Sequence, residues 1–223
     1  MSPPAPGLPS GSGILSGWLA VCGLKQEAKI WGGPAAVGGG DSRALDTALE
    51  RAIAAGRPRG LVSFGLAGAL EPRLAVGKAV VGAEVVMGER RWPCDPDTAA
   101  ALASRFDTRL RTVVGSDRVI ATAAAKQALA RQGAVVDMES HVAARVAGRH
   151  DLPLVVLRVV SDGAGDILPP AAVAGFRADG GIDVGAVLLA LARDPRQLPG
   201  LMKMGKNSGV AFRRLREVVG RLG

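Results

Sequence analysis

The feature that most constrains this chain is a pair of apolar runs, each the length of one buried strand and each ending in acid. Gly133-Ala-Val-Val-Asp-Met-Glu-Ser140 carries residues 134–136 into Asp137 and Glu139, and residues 154–160 lead into Ser161-Asp162 after one short helix. Short apolar runs rich in Val and Leu, bounded by turn residues, are buried strands. Two such strand ends are expected to present their acids at one edge of an α/β sheet, which is where these sheets bind ligands.

The rest of the chain supports that class. Strands are expected at 18–22, 35–37, 60–64, 79–87 and 112–115. Leu45, Ala48, Leu49, Ala52 and Ile53 recur at helical spacing, so 41–55 is an amphipathic helix with Asp41 or Ser42 as its N-cap. Helices are also expected at 98–106 and at 121–132, the latter capped by Gly133. Residues 65–77 read as a loop and 89–97 as irregular, with Glu84 near a rim or an interface. Strands alternating with helices predict an α/β fold, a central mixed sheet flanked by helices in a single domain. A length of 223 residues is enough for one such core without staples.

Composition excludes several classes. Cys22 and Cys94 lack metal-ligand spacing and read as reduced thiols, and His141 and His150 are the only histidines, so no metal site is expected. No apolar stretch reaches membrane-spanning length, and the Pro/Gly/Ser-rich start, 1–16, reads as a flexible tail without the features of a signal peptide, so the expected location is the cytoplasm. Residues 196–223 hold seven Lys and Arg against Glu217, which supplies +6 of the formal +8. The remainder is nearly balanced, and no nucleic-acid motif is present. Val210, Ala211, Leu215, Val218, Val219 and Leu222 fall on one face of a helix over 208–222. That basic amphipathic segment suits either packing on the 17–195 domain or peripheral contact with an anionic membrane.

The acids have a chemistry in common. A carboxylate can accept both hydroxyls of a vicinal diol, and a protonated carboxyl can donate to a heterocycle nitrogen, so together they point to a nucleoside. Asp and Glu at strand ends are also ordinary helix caps, so the joint pattern carries the reading and no single acid does.

Five motifs in order resemble the superfamily of purine nucleoside phosphorylases, uridine phosphorylases and methylthioadenosine/S-adenosylhomocysteine nucleosidases. They are Gly23-Leu-Lys-Gln-Glu27, Val37-Gly-Gly-Gly40, Phe64-Gly-Leu-Ala-Gly68 followed by residues 74–81, Val136-Asp-Met-Glu-Ser140, and Ser161-Asp162. Gly-Gly-Gly-Asp41 and the Asp-Met-Glu-Ser form look most similar to the hopanoid-associated phosphorylases. The resemblance implies release of adenine from a 5′-substituted adenosine, with adenosylhopane as substrate, inorganic phosphate as co-substrate and no cofactor. A hydrolytic nucleosidase, or a silent nucleoside-binding protein on the same fold, is the alternative. It also implies a homo-oligomer, a dimer first.

The same resemblance assigns roles. Asp162 matches the acid at the base N7, kept protonated by burial and oriented by Ser161. Glu139 matches the ribose-binding carboxylate and Met138 the apolar residue under the sugar. Val119 and Ile120 fall where the family holds the base, although the family's aromatic is missing. Glu27 matches the acid that positions water in the nucleosidases. Gly38, Gly39 and Gly40, before the helix that carries Arg43, and the turn from Gly65 to Gly68 are the candidate phosphate cradle, with Arg91 a further candidate ligand. Asp117 reads as structural.

Overall fold

The computed structural model describes residues 13–223 apart from Phe176 and Ala178. Residues 1–12 of the expected flexible tail therefore lie outside the described residues, and just beyond them Leu15 is buried in the core. The chain runs β1 (Leu19–Cys22), α1 (Lys25–Trp31), β2 (Ala35–Val37), α2 (Ser42–Gly56), β3 (Leu61–Ala69), β4 (Ala79–Met87), β5 (Arg90–Pro93), α3 (Pro96–Arg105), β6 (Leu110–Gly115) and α4 (Ala123–Leu129). It continues through β7 (Val135–Asp137), α5 (Ser140–Arg149), β8 (Leu154–Asp162), α6 (Pro170–Ala174), α7 (Val184–Arg193) and α8 (Leu198–Gly220).

The eight strands form one mixed sheet, as the alternation of elements predicts. Strand β3 pairs in parallel with β8 from Leu61↔Leu154 to Gly68↔Asp162, then turns to pair antiparallel with β7 at Gly68↔Val136 and Ala69↔Val135. From β7 the sheet passes to β6 and β4, and β4 returns antiparallel to β8. Five strands thus close into a ring, with β1 and β2 extending from β3 and β5 extending from β4. Strand β8 is central, and its first seven residues are all buried. Helix α5 packs on it with Val142, Ala143, Val146 and Ala147 in the core.

Three expectations need correction. Residues 65–69, expected in a loop, complete β3. Gly65 and Gly68 belong there because other side chains approach the strand closely, which is the usual reason for glycine inside a strand. Residues 90–93, expected to be irregular, form β5 in a hairpin with β4 around Gly88, at φ 59°. As an edge strand β5 carries Arg90, Arg91 and Pro93 toward solvent, which discourages pairing with another chain. Helix α4 ends at Leu129 with Ala130 as its C-cap, and Gly133 is no cap: it lies against β6, where a Cβ would come within 2.7 Å of the Thr112 carbonyl oxygen.

The C-terminal helix is longer than the pattern 208–222 suggests, reaching back to Leu198. Its apolar face is spent inside the protein: Ala211, Phe212, Leu215 and Val218 are buried and the helix packs on β8. The arginines point elsewhere, with Arg213 and Arg216 exposed and Arg221 stacked on the Phe106 ring at 5.3 Å. Among the described residues no helix is long and apolar enough to cross a membrane.

Candidate active site

The two acid-bearing strand ends do meet, by a route different from the expected one. Strand β7 runs antiparallel to β3 and β8 runs parallel to it, so their ends share no edge of a parallel sheet. They converge because β3 carries a register shift between Ala67 and Gly68, where Asp162 lies opposite Gly68 and Val136 also pairs with Gly68. A three-residue strand anchored there cannot carry Asp137 far away. Around this point is a cavity of about 340 Å³.

Glu27 forms part of its floor. The carboxylate sits in the first turn of α1, where an acid opposes the helix dipole. Its Oε2 accepts from the Gly23 N–H at 2.8 Å and the Leu24 N–H at 2.9 Å, and its Oε1 accepts from the Leu66 N–H at 2.8 Å. Burial pushes this carboxyl above the usual range, although Arg158 and the three N–H groups oppose the shift. Gly65, at φ 147°, makes room for it, since any side chain there would overlap the Glu27 carboxylate. Gly65 therefore serves Glu27 and does not line the cavity.

Asp137 and Glu139 divide their work. Asp137 Oδ1 accepts from the N–H groups of Glu139 at 3.0 Å and Ser140 at 2.7 Å, and Oδ2 from the Ser140 hydroxyl, so this acid ties down the start of α5. Glu139 is left for the cavity. Burial, and then the nearby Asp137 and Glu27 carboxylates, push it up to about 8 against the pull of Arg158.

Arg158, in the middle of β8, is fully buried beneath these acids. Its Nη2 donates to the Ser63 hydroxyl at 2.6 Å and lies 3.3 Å from Glu139 Oε2, while Nη1 donates to the Leu66 carbonyl at 3.3 Å. Its Nε is 3.0 Å from Asp137 Oδ2 but is not aligned for a hydrogen bond. Burial alone would weaken its charge, yet the surrounding Asp137, Glu139 and Glu27 carboxylates prevail and hold it firmly cationic. Cys22, a thiol in the same cluster, is pushed well above its usual range, chiefly by burial.

Asp162 is less enclosed than the sequence suggests, with 13% of its side chain exposed, and its dominant neighbour is a cation. Lys126 Nζ, from α4, donates to Asp162 Oδ2 and, at 2.7 Å, to the Gly163 carbonyl. Ser161 Oγ donates to Asp162 Oδ1 at 2.7 Å. The serine expected to orient the acid is in hydrogen-bonding contact with it.

Asp162, Ser161, Glu27, Glu139, Met138, Val119, Ile120, Gly39, Gly40 and Gly68 line the one cavity. Gly38, Arg43 and Arg91 do not. Gly38 packs behind Leu45, Arg43 is exposed on α2, and Arg91 pairs with Glu84 at 2.8 Å on the β4–β5 hairpin. Asp117 is held by the Ser42 hydroxyl at 2.6 Å and by His141 Nε2 at 3.0 Å, outside the cavity lining. Sequence reasoning missed Arg158 and Lys126, and it missed the apolar wall of Leu168, Ile182, Met204 and Phe212. A lone arginine inside a run of seven buried strand residues was the available signal, because buried charges are rare unless paired. Among the described residues no group of three or more His, Cys, Asp or Glu is placed to hold a metal ion.

Comparison with known proteins bears on the fold and the family. A search of curated proteins finds no match. Among solved structures, the 5′-methylthioadenosine/S-adenosylhomocysteine nucleosidase of Neisseria meningitidis in complex with methylthio-immucillin-A superposes with a TM-score of 0.65 at 15% identity, over 92% of this chain and 98% of that one. A point mutant of the Helicobacter pylori MTAN with 5′-methylthioadenosine in its active site gives 0.62 at 13% identity, over 92% and 98%. Futalosine hydrolase of H. pylori gives 0.60 at 14%, over 94% and 99%. At such identities the likeness establishes the fold, that of the nucleoside phosphorylases and nucleosidases. The family model described as the phosphorylase superfamily matches residues 38–193, most of the chain, and this protein belongs to the phosphorylase superfamily.

Proposed function

We propose that this protein cleaves the N-glycosidic bond of a 5′-substituted adenosine and releases adenine. The observation that carries the reading is the convergence of Glu27, Glu139 and Asp162, from three separate elements, on one cavity. As the C1′–N9 bond breaks, its electron pair moves onto the base, and a proton delivered at N7 through Asp162, oriented by Ser161, neutralises it. Glu139 accepts from the ribose 2′- and 3′-hydroxyls, and Met138 lies under the sugar. Val119 and Ile120 hold the base, with Phe212 a nearby aromatic on the same cavity wall.

Water is the attacker that the floor of the cavity favours. Glu27 is fixed by three backbone N–H groups and has the Glu139 carboxylate as a neighbour across the cavity floor, a setting for a base and a poor one for a phosphate dianion. Phosphorolysis is the second reading. Gly39 and Gly40, both at positive φ, line the cavity just before the N-terminus of α2, which suits an anion, with Arg118 and Arg177 as lining cations.

The wall of Leu168, Ile182, Met204 and Phe212 suits an apolar 5′ substituent, and adenosylhopane is the lipid-linked candidate. Such a substrate fits a cytoplasmic enzyme that touches an anionic membrane peripherally, through the exposed Lys203, Lys206, Arg213 and Arg216 of α8. Assembly as a dimer is part of the same proposal, and no cofactor is called for.

The test uses purified protein with 5′-methylthioadenosine, S-adenosylhomocysteine and an adenosine carrying a long apolar 5′ chain, each with and without phosphate. Adenine should be released, with free sugar as the product of hydrolysis and sugar 1-phosphate as that of phosphorolysis. If none of the three nucleosides yields adenine, the reading is wrong.

A further inference from the structure

The contact between Lys126 and Asp162 changes where the departing base obtains its proton. Lys126 is 1% exposed, and its ammonium has two partners, Asp162 Oδ2 and the Gly163 carbonyl. It is held there by a short helix whose N-cap, Thr122, accepts from the Ala125 N–H at 3.1 Å. The nearby Asp166 has a cation of its own, Lys203 at 2.6 Å, so Lys126 is left to Asp162. On Asp162 both oxygens accept: Oδ1 from the Ser161 hydroxyl and Oδ2 from Lys126. A carboxylate in that state has no proton to give. The nearest one is on Lys126 Nζ.

We propose that Lys126 is the proton source of the reaction, acting through Asp162 and never touching substrate. This rests on the glycosidic-cleavage reading above. When the C1′–N9 bond breaks and its electron pair passes to adenine, the base takes a proton from the Asp162 carboxyl, and Asp162 takes one from Lys126. Lys126 ends neutral and Asp162 ends as the carboxylate it was. After adenine leaves, Lys126 regains a proton from solvent, matched by the one that the attacking water gives up to Glu27 and Glu27 returns to solvent, so the cycle closes. No oxidant or further reactant is needed.

The experiment compares wild type, Lys126→Met and Lys126→Arg on two substrates: 5′-methylthioadenosine, whose base needs a proton, and 4-nitrophenyl riboside, whose nitrophenolate departs without one. Arginine keeps the positive charge but does not surrender its proton in proteins. Both variants should lose on the order of 100-fold or more in kcat on 5′-methylthioadenosine, the scale of general-acid catalysis. KM should change by only a few-fold, and most turnover on the nitrophenyl riboside should remain. Recovery of wild-type kcat by Lys126→Arg would overturn the proposal, because charge alone would then suffice. Equal losses on both substrates, in variants whose circular dichroism matches wild type, would overturn it too. A wild type that cleaves neither substrate would remove the underlying reading, an outcome distinct from an active wild type that is indifferent to Lys126.

Discussion

Replacing Arg158 by Met should expose how the candidate site is held together. The guanidinium is fully buried, 3.0 Å from Asp137 and 3.3 Å from Glu139. At an effective dielectric of about 20, each contact is worth roughly 5 kcal/mol before the cost of burying the ions. Most of that gain offsets desolvation, and removing one partner of such a cluster typically costs about 3–5 kcal/mol, because the remaining charges stay buried without compensation. The loss should depend on pH. Glu27 and Glu139 both have folded-state values raised above the unfolded one, Glu139 from 4.5 to about 8. A raised carboxyl binds more protons folded than unfolded, so stability is greatest at the acid end of that window and falls as pH rises toward 8. At about 1.4 kcal/mol per pH unit, keeping Glu139 in the fold costs roughly 4 kcal/mol at pH 8 and about 1 kcal/mol at pH 5.5. Without Arg158 both carboxyls lose the cation that opposes their rise, so the deficit of Arg158→Met should be largest near pH 8.5 and smaller at pH 5.5. Urea unfolding followed by tryptophan fluorescence at both pH values measures it. A deficit below about 1 kcal/mol, or one equal at both pH values, would refute the reasoning.

Asp162→Asn should retain substrate affinity and lose about 100-fold or more in kcat for adenine release, since an amide cannot pass on a proton; calorimetric binding together with steady-state rates checks this. The affinity of a ribonucleoside should rise with pH up to about 8, as Glu139 ionises and becomes able to accept both hydroxyls, while a 2′-deoxyribonucleoside should follow more weakly. Glu139→Gln should abolish that pH dependence, and isothermal titration across pH 6–9 would show whether it does. Phe212→Ala should destabilise the fold by about 3–5 kcal/mol, because α8 buries this ring against the domain, and thermal unfolding measures the loss. A stability change under 1 kcal/mol would mean that the helix is only laid on the surface.

Much of the fold is legible in the sequence because buried strands are homogeneous: residues 79–87 and 154–160 can be nothing else. The glycines are where legibility fails. Gly65 and Gly68 read as loop because local propensity says so, whereas in the fold they are the places where Glu27 and Asp162 approach the backbone. The arginines of β5 likewise mask an edge strand, whose pairing with β4 is a property of the partner and not of the segment. In the candidate site, the acids are recognisable from motifs of a few residues each. Their partners are not, because Lys126 meets Asp162 from 36 residues away and Arg158 meets Ser63 from 95. Contacts of that span are set by how the sheet closes, which no short window encodes.

The closed ring of β3, β7, β6, β4 and β8 gives the molecule an uneven resistance to opening. Each of those strands has a hydrogen-bonded neighbour on both sides, so none can peel away without breaking two ladders. Helix α7, by contrast, has no buried residue and leaves Val184, Leu188 and Leu189 exposed. In amide hydrogen exchange the ring should surrender its protons only when the whole domain unfolds, while residues 184–193 exchange through small local openings. The two sides of the cavity therefore live on different clocks. The acids stand on the slow side, and Ile182, on the cavity wall, lies two residues before the fast helix, so that end of the wall should yield on a shorter timescale than the strand ends that carry the acids.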